Sequence, residues 1–379
     1  MSRWAYNETM SEISESKHAS DFHIIGGGLM GLLTAYELSG LGYRVTVFDR
    51  QEMGKESSWA GGGILSPLYP WKYPKPINQL SLWSQRVYPR LARRLYEESE
   101  IDPEYQLSGL LVLDADQFEQ ARSWAHQSGA RYAEMGHYWL EYSEPAIRLG
   151  LDAIQFPHIG QIRNPALLRA LIQVLWQRGV KLVPHHPLNE VISEKGRVCA
   201  IRVGEEKVRV ENLILTTGAW TASLVDVPGF ESGIRPVRGQ MLLFKAGAGL
   251  IKHILLKDGR YVIPRRDGHI LVGSTMEEVG FDKSTTDSAL KEIFQFACDL
   301  VPALENTPLA QRWAGLRPAS PQGIPLIGPH PTIRGVWLNA GHFRNGVAMA
   351  PASVRLLLDQ IFQRNSILSL PPYLPSNKT

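Results

Sequence analysis

The sequence has few cysteines, and their placement excludes several kinds of protein. Of its 379 residues only Cys199 and Cys298 are cysteines, and they form neither a CxxC pair nor another metal-ligand spacing. Disulfide-stabilised secreted domains and zinc modules require more cysteines at fixed spacings. We therefore expect two small, unpaired core thiols in a reducing compartment, the cytoplasm.

Long apolar runs are also missing. No stretch approaches the about 20 apolar residues that a transmembrane helix needs, so we expect no membrane contact. The first 20 residues are polar and lack the apolar centre of a secretory signal. We interpret residues 1–20 as a disordered extension and expect the fold to begin near Asp21.

An excess of charge of one sign is absent, which argues against nucleic acid as a partner. The formal net charge is +3, with 20% charged and 44% hydrophobic residues, as is typical of a globular protein. The basic residues Arg90, Arg93 and Arg94 are followed by Glu97 and Glu98, which indicates a solvated helix face. The 11 histidines form no HExxH or equivalent pattern, so we expect no catalytic metal.

The predicted elements indicate an α/β fold (α+β overall) with two domains. Strands and helices alternate at both ends and in the middle of the chain, whereas strands follow one another in the insertions. The length also exceeds what one simple core accommodates. We predict a discontinuous Rossmann-like nucleotide-binding domain and a second domain with a mainly antiparallel sheet. The first takes residues 21–85, 155–235 and 312–365, and the second takes residues 86–154 and 236–311.

Three further patterns refine this prediction. Five short predicted strands between Lys181 and Thr216 indicate a hairpin inserted into a parallel sheet. Asp267-Gly268 is a strong turn signal between two predicted strands. Apolar periodicity predicts a final helix over Ala348–Arg364.

A dinucleotide fingerprint opens the predicted fold. The strand Phe22–Ile25 runs into a GxGxxG sequence that starts a helix, and the next strand ends at Asp49. The three glycines permit a tight turn, the approach of a pyrophosphate, and close helix–strand packing. Phosphate is favoured at the helix N-terminus, and Asp49 would accept hydrogen bonds from the adenosine ribose. The alternative is a glycine-rich turn without a ligand. The residues assigned to this end of a cofactor are Gly26, Gly28, Leu29, Met30, Gly31, Asp49 and Arg50.

The fingerprint alone leaves both NAD and FAD open, and the loop after Asp49 favours FAD. Residues 51–76 form a long irregular stretch, and such loops are usually functional or disordered. A flavin lies against backbone with little side-chain intrusion, which consecutive glycines permit. Serine hydroxyls there can reach a pyrophosphate or ribityl chain; a flexible surface loop is the alternative. The residues assigned to this loop contact are Ser57, Ser58, Gly61, Gly62, Gly63 and Ile64.

Six motifs in this order resemble the glycine oxidases of the FAD-dependent D-amino-acid-oxidase family, the type linked to thiamine biosynthesis in bacteria. The resemblance covers residues from Asp21 to about Gln363. The motifs are Ile24-Ile25-Gly26-Gly27-Gly28-Leu29-Met30-Gly31, Glu56-Ser57-Ser58-Trp59-Ala60-Gly61-Gly62, Thr217-Gly218-Ala219-Trp220, Arg238-Gly239-Gln240, Trp313-Ala314-Gly315-Leu316-Arg317-Pro318 and Gly341-His342-Phe343-Arg344-Asn345-Gly346.

The resemblance implies that the nucleotide-binding domain holds FAD without a covalent bond. Related sarcosine oxidases attach FAD to a cysteine, but neither Cys199 nor Cys298 lies near the late motifs. The start of the final helix would stabilise the anionic reduced flavin through its dipole. Trp220 is interpreted as structural. The further cofactor-binding residues that the resemblance implies are Val191, Thr217, Gly218, His342, Phe343, Arg344, Asn345, Gly346, Val347 and Ala348.

The resemblance also assigns a substrate site in the second domain. Arg317 would hold the substrate carboxylate, because a guanidinium offers a fixed fork of donors to a carboxylate. Arg344 would reach both flavin and substrate, Tyr261 would hydrogen-bond the carboxylate, and Met276 would limit pocket size. The alternative interpretation of Tyr261 and Met276 is ordinary core packing. The alternative interpretation of Arg317 and Arg344 is a structural role. No protein side chain is assigned as catalytic, since the flavin accepts the hydride.

The implied function is oxidative deamination of glycine, sarcosine or small D-amino acids, with hydride transfer to flavin N5. The products are a 2-oxo acid, ammonia or an amine, and hydrogen peroxide, and the imine would serve thiamine biosynthesis. A D-amino-acid dehydrogenase or sarcosine-oxidase-like enzyme, an NAD enzyme and a non-enzymatic or RNA-modifying flavoprotein remain as alternatives. The implied partners are a small amino acid and molecular oxygen, and relatives often form homo-oligomers.

Overall fold

The computed structural model describes residues 22–225 and 230–376, so the predicted extension over residues 1–20 lies outside it. Among the described residues the strands outnumber the α-helices, but the helices contain more residues in total. The strands are β1 Phe22–Ile25, β2 Val45–Phe48, β3 Leu110–Val112, β4 Ala133–Met135, β5 Ala153–Phe156, β6 Lys181–Val183, β7 Leu188–Glu194, β8 Arg197–Val203, β9 Glu206–Arg209, β10 Asn212–Leu215, β11 Arg235–Lys245, β12 Ile254–Lys257, β13 Arg260–Pro264, β14 His269–Gly273, β15 Leu309–Ala319, β16 Leu326–Pro329 and β17 Val336–Ala340.

The helices differ widely in length and in what they cover. The longest has 25 residues and contains Pro89. The α-helices are α1 Leu29–Gly40, α2 Ser57–Ala60, α3 Lys75–Ser99, α4 Phe118–Ser128, α5 His137–Ser143, α6 Asn164–Gln177, α7 Thr221–Val225, α8 Asp287–Leu300 and α9 Gly346–Ile361.

The first layer is a six-stranded sheet in the order β16-β17-β10-β1-β2-β6. All neighbours in it run parallel except the edge pair β16–β17. The strand–helix–strand unit β1–α1–β2 that the sequence predicts is therefore present, with Ile25 paired to Phe48. Helices α1, α3, α6 and α9 pack together over this sheet and form one apolar core with it. This arrangement brings the carboxyl ends of β1, β2, β10 and β17 to one edge, where doubly wound sheets bind ligands.

The second layer is an eight-stranded sheet in the order β15-β11-β14-β13-β12-β3-β5-β4. Its neighbours are antiparallel except for the parallel pair β12–β3. The predicted turn at Asp267-Gly268 joins β13 to β14, and Gly268 adopts the positive φ of 86° that such turns need. The α/β fold with a mainly antiparallel second sheet is thereby confirmed.

Two expectations about the chain's organisation differ from the structure. Strands β7, β8 and β9 form a separate three-stranded antiparallel sheet, whereas a hairpin inserted into the parallel sheet was expected. The chain segments that form the two large sheets also differ from the two domains that the sequence predicts. Helix α3 runs unbroken across position 85, because Leu91 and Leu95 continue its apolar face onto the core of the first layer. Strand β5 and all of β15 belong to the eight-stranded sheet.

Two kinds of feature that would point to another class of protein do not occur in the part of the chain that the structure describes. Over residues 22–225 and 230–376, no helix is long and apolar enough to cross a membrane. No group of three or more His, Cys, Asp or Glu side chains there is arranged to hold a metal ion. Cys199 and Cys298 are free thiols, and both are half-buried.

Candidate functional site

A long cleft lies between the carboxyl ends of the parallel strands and the inner face of the antiparallel sheet. Ile25, Asp49 and Thr216 line it where β1, β2 and β10 end, and Tyr261 and Arg317 line it from β13 and β15. A ligand held here would touch both sheets. The cleft has the position that the topology of an open parallel sheet predicts for a nucleotide site.

The glycine turn at one end of the cleft is built as the fingerprint requires. Gly26 has a φ of 105°, and a Cβ there would lie 2.5 Å from the carbonyl oxygen of Thr216. A Cβ on Gly31 would overlap the carbonyl oxygen of Gly26, so only glycine lets helix and strand approach this closely. A Cβ on Gly28 would meet only Ser58 Oγ, at 3.0 Å. The turn therefore leaves room for a phosphate beside Gly28.

Helix α1 begins at this turn with its positive end facing the cleft. Its N-cap Gly28 has no side chain, and its first turn contains no acidic residue. The Leu29 N–H donates to Ser58 Oγ at 2.9 Å, which is the contact that closes the loop over the turn. Asn164 Nδ2 in turn donates to the Ser58 carbonyl at 2.8 Å. Such a helix end favours an anion through its dipole and its unpaired N–H groups.

Asp49 closes the same end of the cleft. Its carboxylate accepts hydrogen bonds from the Gly27 N–H at 2.6 Å and the Gln51 N–H at 2.9 Å. Burial raises the pKa of Asp49, although these two bonds oppose the shift. Arg50 lies over the ring of Trp220 at 4.2 Å, and both residues line the cleft. Trp220, expected to be structural, is thus part of the cleft wall.

The three consecutive glycines line the cleft as expected, and their missing side chains also make room for protein atoms. A Cβ on Gly62 would lie 2.9 Å from Ile263, and a Cβ on Gly63 would overlap the Ile162 carbonyl. Their missing side chains therefore allow protein packing behind the cleft wall. Arg265, which the sequence did not single out, fixes this wall by donating to the Gly62 carbonyl at 2.8 Å. Burial lowers the pKa of Arg265 to about 10, so its guanidinium stays charged.

The start of helix α9 faces the middle of the cleft. A 3₁₀ turn over Phe343–Asn345 precedes the helix, which begins at Gly346, two residues before the expected start. Phe343 has a φ of 46°, which is unusual for a residue with a side chain. The first turn of α9 contains no acidic residue. The segment thus presents backbone N–H groups to any ligand in the cleft.

Several buried polar atoms beside this helix have no hydrogen-bond partner among the residues that the structure describes. They are both side-chain polar atoms of Asn339 and the Nδ2 atom of Asn345, and both residues line the cleft. Unpaired buried polar groups are costly, so a polar ligand edge at this position is expected to satisfy them. Together with the two helix ends and Asp49, they fit a dinucleotide with a polar ring system such as FAD.

Arg317 projects from β15 into the cleft wall on the side of the antiparallel sheet. Its Nη2 donates to Ser274 Oγ at 2.6 Å, and its Nη1 donates to the Thr275 carbonyl at 3.1 Å. Within residues 22–225 and 230–376 no acidic side chain forms a salt bridge with Arg317. Burial lowers the pKa of Arg317, the charge of Arg344 adds to this, and Tyr261 opposes it. An arginine remains protonated under these conditions, so the cleft contains a cation without a carboxylate partner.

Two neighbours of Arg317 were expected at the substrate site. Tyr261 is buried and lines the cleft, and its hydroxyl lies 3.4 Å from Met241 Sδ. Arg344 donates to the Gly259 carbonyl at 3.3 Å and also lines the cleft. The structure therefore brings Arg317, Tyr261 and Arg344 together at one end of the cleft.

Most of the predicted site residues line the cleft, and three do not: Gly31, Val191 and Met276. Gly31 lies behind the turn, where a Cβ would overlap the Gly26 carbonyl oxygen. Val191 packs in the apolar cluster beside β7, whereas Leu188 of the same strand reaches the cleft. Met276 is 61% exposed and lines a neighbouring depression that shares Ser274 and Arg344 with the cleft. The predicted residues on the cleft wall are Gly26, Gly28, Leu29, Met30, Asp49, Arg50, Ser57, Ser58, Gly61, Gly62, Gly63, Ile64, Thr217, Gly218, Tyr261, Arg317, His342, Phe343, Arg344, Asn345, Gly346, Val347 and Ala348.

Comparison with known proteins agrees with this geometry. The family model for FAD-dependent oxidoreductases (DAO) matches residues 21–360. A glycine oxidase of Pseudomonas putida is 41% identical over 357 residues, which are 94% of this chain and 98% of that protein. A bifunctional protein ThiO/ThiG of Trichormus variabilis is 30% identical, with 91% of this chain and 53% of that protein covered.

The fold comparison gives the same result. The crystal structure of glycine oxidase from Geobacillus kaustophilus superposes with a TM-score of 0.90 at 26% identity, over 96% of this chain and 100% of that one. The family match spans most of the described residues, including the glycine turn, Asp49 and Arg317. The family resemblance predicted from the sequence is confirmed, and the chain belongs to the FAD-dependent oxidoreductase (DAO) family.

Proposed function

We propose that this chain is an FAD-dependent oxidase of glycine. Sarcosine and small D-amino acids are further substrates, and molecular oxygen is the final electron acceptor. In the reaction glycine, water and oxygen give glyoxylate, ammonia and hydrogen peroxide. Similarity to glycine oxidases over nearly the whole chain supports this choice above a dehydrogenase or sarcosine-oxidase-like alternative.

The observation that carries the proposal is the guanidinium of Arg317, which has no carboxylate partner among the described residues. This cation is buried in the cleft wall, and the groups that accept its hydrogen bonds are neutral, so it can still bind one carboxylate. Amino acids without a long side chain offer a carboxylate and little else to recognise. Arg317 therefore binds the substrate carboxylate, with Tyr261 as a hydrogen-bond donor beside it and Arg344 between substrate and flavin.

The chain's own residues bind and orient, and the bound cofactor receives the electrons. Acceptance of the hydride from the substrate carbon is the chemistry that FAD supplies. Arg317 fixes the position of that carbon by binding the carboxylate through two hydrogen bonds. No protein group is needed as a general base, because the amine can release its proton to solvent before or during binding. Met276, outside the main cleft, is assigned to the substrate entrance rather than to the substrate itself.

The cofactor-binding residues follow the length of the cleft. The turn at Gly26, Gly28 and Gly31 with the start of α1 holds the pyrophosphate, and Asp49 accepts hydrogen bonds from the ribose. The loop from Ser57 to Ile64, the segment Thr217–Gly218 and residues 342–348 lie along the remaining cofactor. Leu188 replaces Val191 in the assignment near the adenine, because Leu188 lines the cleft. FAD is bound without a covalent link, since neither free cysteine lines the cleft.

Several wider assignments belong to the same proposal. The six-stranded layer is the FAD-binding domain, and the eight-stranded layer is the substrate domain. The product imine serves thiamine biosynthesis in the cytoplasm, which the resemblance and the low cysteine content support. We also expect a homo-oligomer and no nucleic-acid partner.

The test is a hydrogen peroxide assay of the purified protein with glycine, sarcosine and small D-amino acids. Arg317→Ala should lower kcat/KM by about 30-fold or more, because loss of one partner of a buried charge pair costs about 2–5 kcal/mol. Arg312→Ala, on the same strand with its side chain 62% exposed, is the matched control and should leave the rate unchanged. Wild-type turnover without peroxide, or near-normal turnover of Arg317→Ala, would refute the proposal.

A further inference from the structure

The motif Arg238-Gly239-Gln240 has no role in the proposed function, although Gly239 lines the cleft beside the guanidinium of Arg317. Strand β11 carries the motif and pairs antiparallel with β15, so that Val237 is opposite Arg317 and Gly239 is opposite Gly315. The three motif residues are fully or almost fully buried. Their side chains do not face solvent, and the position of the motif suggests that it serves the arginine.

Gly239 provides the space that the guanidinium occupies. A Cβ built at this position would overlap Cζ and both terminal nitrogens of Arg317, and these are the three nearest atoms to it. The φ of Gly239 is not in the left-handed region. The need for glycine here thus comes from the arginine side chain and not from the backbone.

The neighbouring backbone holds the guanidinium in one orientation. Arg317 Nη1 donates to the Arg238 carbonyl at 3.3 Å and to the Thr275 carbonyl at 3.1 Å. Ser274 Oγ accepts from Nη2 at 2.6 Å. We call Arg238, Gly239, Ser274 and Thr275 the arginine seat. The hydrogen-bonding members of the seat accept from the guanidinium N–H groups that face the protein. The remaining N–H groups of Arg317 are available to a ligand.

Glu277 ties the two halves of the seat together. Its N–H donates to the Arg238 carbonyl at 3.0 Å and its carbonyl accepts from the Arg238 N–H at 2.8 Å. Its carboxylate accepts from Arg238 Nη2 at 2.6 Å, from Gln240 Nε2 at 2.9 Å and from the Thr275 hydroxyl at 2.5 Å. The Arg238 side chain is only 4% exposed, so this charge pair is strongly held.

We propose that Gly239 and Glu277 are positioning residues that fix the direction of Arg317 and so set the affinity for the substrate carboxylate. Gly239 acts because it has no side chain. The Glu277 carboxylate acts by holding the side chains of Arg238 and Thr275, the two residues whose carbonyls accept hydrogen bonds from Arg317. This inference rests on the proposed function, in which Arg317 binds that carboxylate. A guanidinium that is free to rotate binds a carboxylate less tightly, because the strong two-bond pairing requires both groups to lie in matched directions.

The first test is Gly239→Ala in the FAD-loaded protein. Its probe is glycolate, which carries the carboxylate of glycine without the amine, followed by the change in the visible flavin spectrum. The new methyl group displaces only the end of a flexible side chain, so the fold and the affinity for FAD should be retained. The Kd for glycolate should rise about 100-fold, the order expected for loss of one hydrogen bond between charged groups. The KM for glycine should rise with it while kcat changes less.

The second test is Glu277→Gln, with Glu278→Gln as the matched control. Glu278 is the next residue, and it pairs at 2.9 Å with Arg235 on the surface, where both side chains are more than half exposed. Glu277→Gln should weaken glycolate binding about tenfold and leave the Kd for FAD unchanged, as is typical of groups that orient a binding side chain. Glu278→Gln should change neither value, and Glu277→Asp should recover part of the loss.

Arg317→Ala separates this inference from the proposed function. If Arg317→Ala binds glycolate as the wild type does, the proposed function fails. If Arg317→Ala loses binding but Gly239→Ala and Glu277→Gln keep it, the seat proposal alone is overturned. If neither seat variant takes up FAD, the proposal is also overturned, since these residues would then support the fold and not the direction of the arginine.

Discussion

His342 is a buried histidine that lines the cleft and remains neutral. Its side chain lies within 3.0 Å of Ser353 Oγ and is 3% exposed. Burial lowers its pKa to about 3, from an ordinary value of 6.5. At a pH between these two values, the His342 imidazole is neutral in the folded protein and protonated in the unfolded chain. This difference links folding stability to pH.

We expect the wild type to lose stability as pH falls from 6.5 toward 3, the window between the pKa values of unfolded and folded His342. Above this window both states are neutral, so His342 contributes no pH dependence there. Between pH 7.5 and 5.0 the loss amounts to about 2 kcal/mol from this residue, at roughly 1.4 kcal/mol per pH unit. Urea denaturation of His342→Gln should therefore show a correspondingly smaller acid-induced loss than the wild type.

The control for this experiment is His126→Gln, which removes an exposed histidine from α4. Its acid-induced loss of stability should equal that of the wild type. The comparison uses the change between the two pH values, so a constant packing defect in either variant cancels. Equal losses in His342→Gln and wild type would contradict a neutral buried histidine.

Sequence alone predicts those site residues whose role comes from local backbone geometry. The glycine turn and Asp49 are recognisable because a strand, a helix and a second strand surround them within about 30 residues. Gly239 and Ser274 could not be assigned, because their contact with Arg317 depends on the register between β11, β14 and β15. Val191 was assigned to the adenine through its backbone on the resemblance alone, whereas Leu188, three residues earlier on β7, lines the cleft. Which residue of a strand reaches a cleft depends on tertiary packing, which the sequence does not give.

At the scale of elements, helix α9 is fixed at the residue where it enters the cleft. Tyr88 of α3 donates its buried hydroxyl to the Val347 carbonyl at 2.5 Å. Val347 belongs to the first turn of α9, lines the cleft and is only half-buried. The positive end of the helix dipole is therefore held in a constant place relative to a bound flavin.

We expect Val347→Glu to make the bound flavin harder to reduce than Val347→Gln does. The two side chains have nearly the same size, so their difference isolates one negative charge at the start of α9. An interaction of about 1–2 kcal/mol corresponds to a two-electron potential about 20–40 mV lower in the glutamate variant. Spectroelectrochemistry of both FAD-loaded variants measures it, and equal potentials would exclude an electrostatic role for this helix start.

The elements that the sequence missed have weak local signals. Strand β4 spans only three residues, none of them fully buried, and three residues are too few for apolar alternation to predict a strand. In β15 the first four residues are exposed and the last five contain Gly315 and Pro318, which are unfavourable in strand predictions. Pairing with β11 over ten positions stabilises β15 nonetheless. Tertiary pairing of this kind decides structure where local preference does not.

At the scale of the whole molecule, the cleft separates two layers that have their own apolar cores. A ligand that lies along it contacts both layers and binds the folded state only. FAD should therefore raise the free energy of unfolding by about 2.7 kcal/mol at 100 times its Kd, and the melting temperature should rise with FAD concentration. Thermal unfolding of the flavin-free protein across an FAD series measures this.

Flavin mononucleotide is the matched ligand for that series, because it lacks the adenylate that would reach Asp49 and Arg50. It should raise the melting temperature less than FAD at equal concentration. Asp49→Ala should remove most of the advantage of FAD over flavin mononucleotide. An equal response to both ligands would show that the end of the cleft around Asp49 does not hold the adenylate.

The hydrogen bond from Leu29 to Ser58 has a consequence for engineering. A segment that ends at residue 50 carries every glycine of the fingerprint, but it omits the serine that occupies the Leu29 N–H and the asparagine that anchors this serine. If such a segment were grafted into a chimera, the start of α1 would be exposed to water, because the loop that contains Ser58 would no longer cover it. A transplantable cofactor module from this chain must therefore include residues 57–61 and Asn164, which makes it a composite of distant pieces.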